Sequence, residues 1–125
     1  MVVYAFVIMH NHVHIIWQPC FDIDLPQVQA SFRKHTSKQL LQTLSESERE
    51  IYKVNKYDRT HQIWKREPLS IVLYTPAVFA QKLNYIHQNP VKAGICSMPE
   101  DYYYSSANFY NGGERHADIL SHYLG

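Results

Sequence analysis

The sequence predicts a single domain, residues 1–125, that mixes strands with helices. Three observations carry this. Residues 2–9 are continuously apolar, residues 12–17 form a second run rich in β-formers, and two later segments space their apolar residues at helical intervals. With 125 residues and 46% hydrophobic content, the chain is long enough to bury one core.

The first run, Val2 through Met9, is too continuous to leave one face wet, so it reads as a central strand covered on both sides. A break at His10 and Asn11 leads into the second strand, His12 through Trp17, and the two form a hairpin or a kinked pair. Pro19 ends the region because it offers no backbone donor to a ladder. Asp24 then caps a helix starting with Leu25 and Pro26. Its apolar residues Val28, Phe32, Leu40, Leu41 and Leu44 recur at helical spacing, and Arg33, Lys34, His35 and Lys38 occupy the other side.

Residues 45–57 are charged and read as a short helix and loop, and residues 62–65 and 69–74 as two short strands around Pro68. Thr75 followed by Pro76 is a strong helix start, since the hydroxyl accepts from free amides and proline loses nothing at the first position. Val78, Phe79, Leu83 and Ile86 supply the buried stripe of that helix. Pro90 predicts its end at Asn89, because the residue before a proline is pushed out of the α region. From Pro99 onward the pattern is turns and a short helical stretch.

Twelve basic residues against eleven acidic ones give a net charge of +1, so any contact with nucleic acid must come from a local patch. Cys20 and Cys96 lack CxxC spacing, which argues against a thiolate zinc site or a disulfide framework and for a reducing cytoplasm. The apolar run at the start is too short for a membrane span and has no basic segment before it. Eight histidines and ten tyrosines lean the composition toward metal ligands and stacking surfaces.

His12 and His14 are separated by two strand positions, so both imidazoles leave one face with Cα atoms roughly 6.6 Å apart and can converge on one ion. The competing reading is a pair of hydrogen-bonded histidines on a partly wet sheet. Asn89 follows Tyr85 by four residues and projects from nearly the same helix side, off the apolar stripe, offering a phenol and an amide oxygen together. The competing reading of Tyr85 is an amphipathic edge residue with its hydroxyl in water. A phenol is a poor nucleophile at neutral pH, so it needs an electrophile already activated by a metal or by basic groups. A divalent ion would polarise a phosphate oxygen, and the set suits transesterification of a phosphodiester.

The segment Met9-His10-Asn11-His12-Val13-His14-Ile15 resembles the HUH signature of insertion sequence 200-like transposases and the related REP-associated tyrosine transposases. The segment Tyr85-Ile86-His87-Gln88-Asn89-Pro90-Val91-Lys92-Ala93-Gly94-Ile95 resembles the second signature of the REP-associated group, and Asp101-Tyr102-Tyr103-Tyr104-Ser105-Ser106-Ala107 the stretch that follows it. The likeness extends over about residues 4–110. It implies an α+β, ferredoxin-like antiparallel sheet with packed helices, Tyr85 as nucleophile, and His12, His14 and Asn89 around Mg²⁺ or Mn²⁺. It also implies single-stranded or hairpin-forming DNA as substrate.

The family usually has Pro or Ser where this chain has His10, and its members begin with a further strand and helix ahead of the segment matching Val2. The expectation is therefore an N-terminally incomplete domain whose exposed strand pairs with a second copy as a homodimer. One alternative is a catalytically inactive remnant that still binds a DNA hairpin. Another is a zinc hydrolase using His10, His12 and His14 as a three-histidine face. Arg33, Lys34, Lys38, Lys82 and Lys92 are candidate phosphate contacts, each otherwise a solvated charge. Trp64 and Tyr102 to Tyr104 either stack on bases or pack into the core.

Overall fold

The apolar run folds as strand β1, Val2–Ile8, in a computed structural model that describes residues 1–20, 24–56, 59–65 and 69–125. The chain reverses through residues 9–12, where the Met9 amide donates to the His12 carbonyl at 2.8 Å, and returns as antiparallel β2, Val13–Gln18. The hairpin expectation is met, but β2 starts one residue later than the pattern suggests. His12 sits in the turn just ahead of it.

Contacts divide the chain into two compact units, Met1–Phe21 with Val72–Gly125, and Asp22–Ile71. Helices and strands occur in both, so the class is α+β, with two separate two-stranded antiparallel sheets among the described residues.

In the first unit, β1 is covered as its composition demands. Ala5, Phe6 and Val7 are consecutive and buried, which needs material on both faces. The face carrying Ala5, Val7 and Met9 packs with Ile86 and Leu83 of helix α3, Pro76–Lys92, and with Ile16, Tyr102 and Tyr110. On the edge away from β2, the Ile8 amide donates to the Tyr104 carbonyl at 2.8 Å, Ser106 N–H to Phe6 at 3.0 Å, and Ser121 N–H to Val3 at 3.0 Å. The C-terminal segment thus closes that edge of β1. Since Phe6 and Ile8 direct their backbone groups outward, Ala5 and Val7 direct theirs to Ile16 and His14. The alternate residues Val13, Ile15 and Trp17 turn their backbone groups to the outer edge of β2, and no segment pairs with that edge among the described residues.

Thr75 caps α3 as expected, its hydroxyl accepting from the Val78 amide at 3.2 Å. The helix does not stop at Asn89 but runs on through Pro90 to Lys92. Two features permit this. Pro90 is fully buried, and beyond it Gly94, at φ 76°, closes the helix with paired bonds from Ile95 N–H to the Pro90 carbonyl and from Gly94 N–H to the Val91 carbonyl, both 3.0 Å. This is the Schellman arrangement, which satisfies the last carbonyls and favours glycine at the left-handed position. A Cβ at Gly94 would meet nothing within 4 Å, so the cost of Gly94→Ala is backbone strain alone. Urea denaturation is expected to show a loss of about 1 kcal/mol. After α3 come a single 3-10 turn, Pro99–Asp101, and a short helix α4, Ala107–Tyr110.

The second unit contains helix α1, Leu25–Thr43, which begins after Asp24 with proline in its first turn, close to its expected bounds, although the Asp24 side chain makes no capping hydrogen bond. Helix α2, Glu46–Glu50, follows behind a reciprocal cap in which Ser45 Oγ accepts from Glu48 N–H and the Glu48 carboxylate from Ser45 N–H. The loop expected after it is instead a hairpin, β3 Lys53–Lys56 and β4 Arg59–His61. Neither expected strand around Pro68 forms, and Pro68 itself lies outside the described residues. Residues 63–65 leave the hairpin to set Trp64 beside α1, with Nε1–H donating to Thr36 Oγ1 at 2.9 Å and its ring 6.0 Å from Phe32. In residues 69–74, Leu69, Ile71, Val72 and Tyr74 stay exposed with no partner strand among the described residues. Their β-propensity is not enough without a ladder to join.

Candidate functional site

Strand alternation puts the side chains of His12, His14 and Ile16 on the face that α3 covers, since their register partners are Met9, Val7 and Ala5. The His12 and His14 rings lie edge to face with centroids 5.1 Å apart, and the His14 ring lies edge to face with Tyr85 at 5.8 Å. Residues more than 70 positions apart in sequence are therefore adjacent in space. The phenol comes from α3, which presents Ile86, His87 and Pro90 inward and leaves Tyr85 49% exposed.

Two neighbours condition the histidines. The Asn11 side-chain oxygen is 2.7 Å from His12 Nδ1, so Nδ1–H donates to it and Nε2 keeps its lone pair for another partner. His14 has its pKa lowered, first by burial and second by the positive charge His12 carries when protonated. Both effects favour the neutral imidazole, the form that binds metals.

The spacing of the two imidazoles bears on whether they can share a divalent ion. Two imidazoles on one ion, with metal–nitrogen bonds of about 2.1 Å, place their ring centres roughly 4.5–5.2 Å apart for ligand angles of about 90–109°. The observed 5.1 Å fits. His12 and His14 would hold such an ion, and Asn89 is the candidate for a third position. It is half-buried on the flank of α3 between Tyr85 and the buried Ile86 and Pro90. Among the described residues no three His, Cys, Asp or Glu side chains converge, so His10, exposed in the turn, does not join the pair as a three-histidine face.

Lys82 and Lys92 bracket the phenol, with Nζ atoms 5.9 and 5.7 Å from the Tyr85 ring centre. Arg33, Lys34 and Lys38 belong to α1 in the other unit. Arg33 donates to the Trp64 carbonyl at 3.4 Å, while Lys34 and Lys38 are exposed. Tyr102 is spent structurally, its hydroxyl donating to the Ile8 carbonyl at 2.5 Å. Tyr103 and Tyr104 remain more than half exposed, with the Arg115 guanidinium 5.3 Å from the Tyr103 ring centre.

The group that fixes α3 on β1 carries no functional signature in the sequence. His87 is buried and its Nε2 lies 2.7 Å from Ser106 Oγ, which also accepts from Phe6 N–H at 3.0 Å and reaches the Phe6 carbonyl at 3.2 Å. If Nε2 carries the proton, Ser106 accepts two hydrogen bonds and donates one, and every partner is satisfied; that tautomer is assigned from this count. Burial lowers the His87 pKa to about 4. The signal available in the sequence was weak, because a buried serine pair is indistinguishable from loop serines.

No family model, curated protein or solved structure matches the chain. No helix among the described residues is long and apolar enough to cross a membrane.

Proposed function

We propose that the chain is a metal-dependent single-stranded DNA transesterase of the single-tyrosine HUH transposase type, acting on hairpin-forming ends. The observation that carries this reading is the meeting of the His12 and His14 imidazoles with Tyr85 across the interface of β2 and α3. It is supported further by two ammonium groups beside the phenol. Tyr85 would attack the scissile phosphorus, forming a phosphotyrosine ester while the bond to the sugar oxygen breaks. The phenolic proton leaves to solvent and the departing sugar oxygen takes one up. Mg²⁺ or Mn²⁺ held by His12, His14 and Asn89 would polarise a nonbridging oxygen and offset the charge that grows on it. In this proposal the α+β domain is of the ferredoxin-like kind, an antiparallel sheet with packed helices.

The test is incubation of the protein with a labelled hairpin oligonucleotide and Mn²⁺, followed by denaturing electrophoresis. A covalent protein–DNA adduct that disappears with EDTA is expected. Tight, salt-dependent binding with no adduct under any divalent metal would replace the proposal with the inactive hairpin-binding remnant.

The partner proposal extends to a second copy. Val13, Ile15 and Trp17 present an uncharged, proline-free strand edge, the kind that invites pairing. Light scattering at micromolar concentration is expected to give a dimer mass, and a clean monomer mass would reject this pairing.

A further inference from the structure

Helix α3 contains no Asp or Glu, and its two lysines fall on the same side as the candidate nucleophile. At about 100° per residue, Lys82, Tyr85, Asn89 and Lys92 lie within an arc of about 80°. The lysines approach the phenol from opposite ends. Lys82 stands three residues before Tyr85, and Lys92 stands seven residues after it, with its side chain leaning back toward the helix N-terminus as helical side chains do. Both ammonium groups end within 6 Å of one ring centre, so they are no more than about 12 Å apart. Neither is ion-paired to a carboxylate among the described residues. Two unneutralised cations within 6 Å of one exposed phenol ring, reaching it from opposite ends along the helix, form a site for an extended polyanion in which each ammonium takes its own phosphate.

We infer that Lys82 and Lys92 hold two phosphates of one DNA strand on either side of a third phosphate that lies against the Tyr85 hydroxyl, so that the strand runs along the α3 axis. This deepens the transesterase reading and rests on it for the identity of the ligand. It sets the direction of the strand across the site and the minimum length of the substrate. The phosphates flanking the reacting one are positioned by α3 itself, without help from bases.

Metal-free binding separates this inference from the chemistry. In EDTA, a labelled oligothymidylate of twelve nucleotides is titrated by fluorescence anisotropy over a salt series. Each of Lys82→Gln and Lys92→Gln is expected to lower the slope of log K against log salt by about 0.7, and the double variant by about 1.4. Chemical-shift titration then compares thymidine oligomers with one and with three internal phosphates. The three-phosphate ligand should lose affinity to each substitution independently, and the one-phosphate ligand should lose no more to both than to one. An unchanged salt slope in the double variant overturns the inference. So does a full two-lysine loss with the one-phosphate ligand, which would put both lysines on the same phosphate. A failed adduct assay with the expected slopes removes the catalytic reading and leaves the strand path standing; the reverse pattern removes only the path.

Discussion

Tyr85→Phe is expected to abolish the covalent protein–DNA adduct, lowering its rate of formation by on the order of 10⁴-fold or more. The magnitude follows from the role. In the proposed reaction the hydroxyl is the atom that forms the new bond, so its loss would remove the reaction rather than weaken a contact. The fold should not change. The side chain is 49% exposed, its hydroxyl has no hydrogen-bond partner among the described residues, and the ring that packs near His14 is kept by phenylalanine. Surface changes of this kind typically stay within about 0.5 kcal/mol. Thermal denaturation and metal-free DNA binding close to the parent's are therefore part of the expected result. Adduct formation at the parent rate in the variant would move the nucleophile elsewhere. The exposed Tyr103 and Tyr104 would then be the next phenols to replace.

How much of this arrangement could be read from the sequence depends on the range of the rules involved. The β1–β2 hairpin and the starts of α1 and α3 follow from short-range patterns: a continuous apolar run, and Asp24 or Thr75 followed by a proline in the first turn. The same kind of rule failed at Pro90. A single dipeptide preference was outweighed by the termination signal four residues later at Gly94 and by burial of the proline ring. The β3–β4 hairpin was missed because its strands are short and largely polar, without an apolar alternation to mark them. Residues 69–74 misled for the opposite reason, having β-formers but, among the described residues, no strand to pair with.

The site divides in the same way. Strand period placed His12 and His14 on one face, and helix period placed Tyr85 and Asn89 on one side of α3. Neither period could say that these two surfaces meet. Their meeting comes from Ala5, Val7 and Met9 packing on Ile86 and Leu83, and from His87 reaching Ser106 nearly twenty residues away. Those are tertiary contacts, and they set the rotation of α3 that brings the phenol beside His14.

That dependence makes His87 a point at which acid should act on the site, in addition to protonation of His14 itself. Its pKa is about 4 in the folded chain because burial penalises the imidazolium, against about 6.5 in the unfolded chain. Between those values the unfolded state binds the extra proton and the folded state does not. Stability is therefore fully present above pH 6.5 and is lost as pH falls toward 4, by about 3 kcal/mol from this group. In a domain whose whole stability is of order 5–15 kcal/mol, that is a large share. Urea denaturation from pH 7.5 to 4 should show the parent weakening more steeply than His87→Gln, whose amide can still donate to Ser106 but does not titrate in this range. His14, also shifted downward, weakens both proteins alike and cancels in the comparison. Parallel pH curves for the two proteins, or a His87 imidazole that titrates near 6.5 by NMR, would contradict the argument. Because His87 lies about 200° round α3 from Tyr85, the proton would act on the seating of the helix rather than on the phenol. Adduct formation should accordingly fall more steeply with acid in the parent than in His87→Gln, the protonation of His14 being common to both.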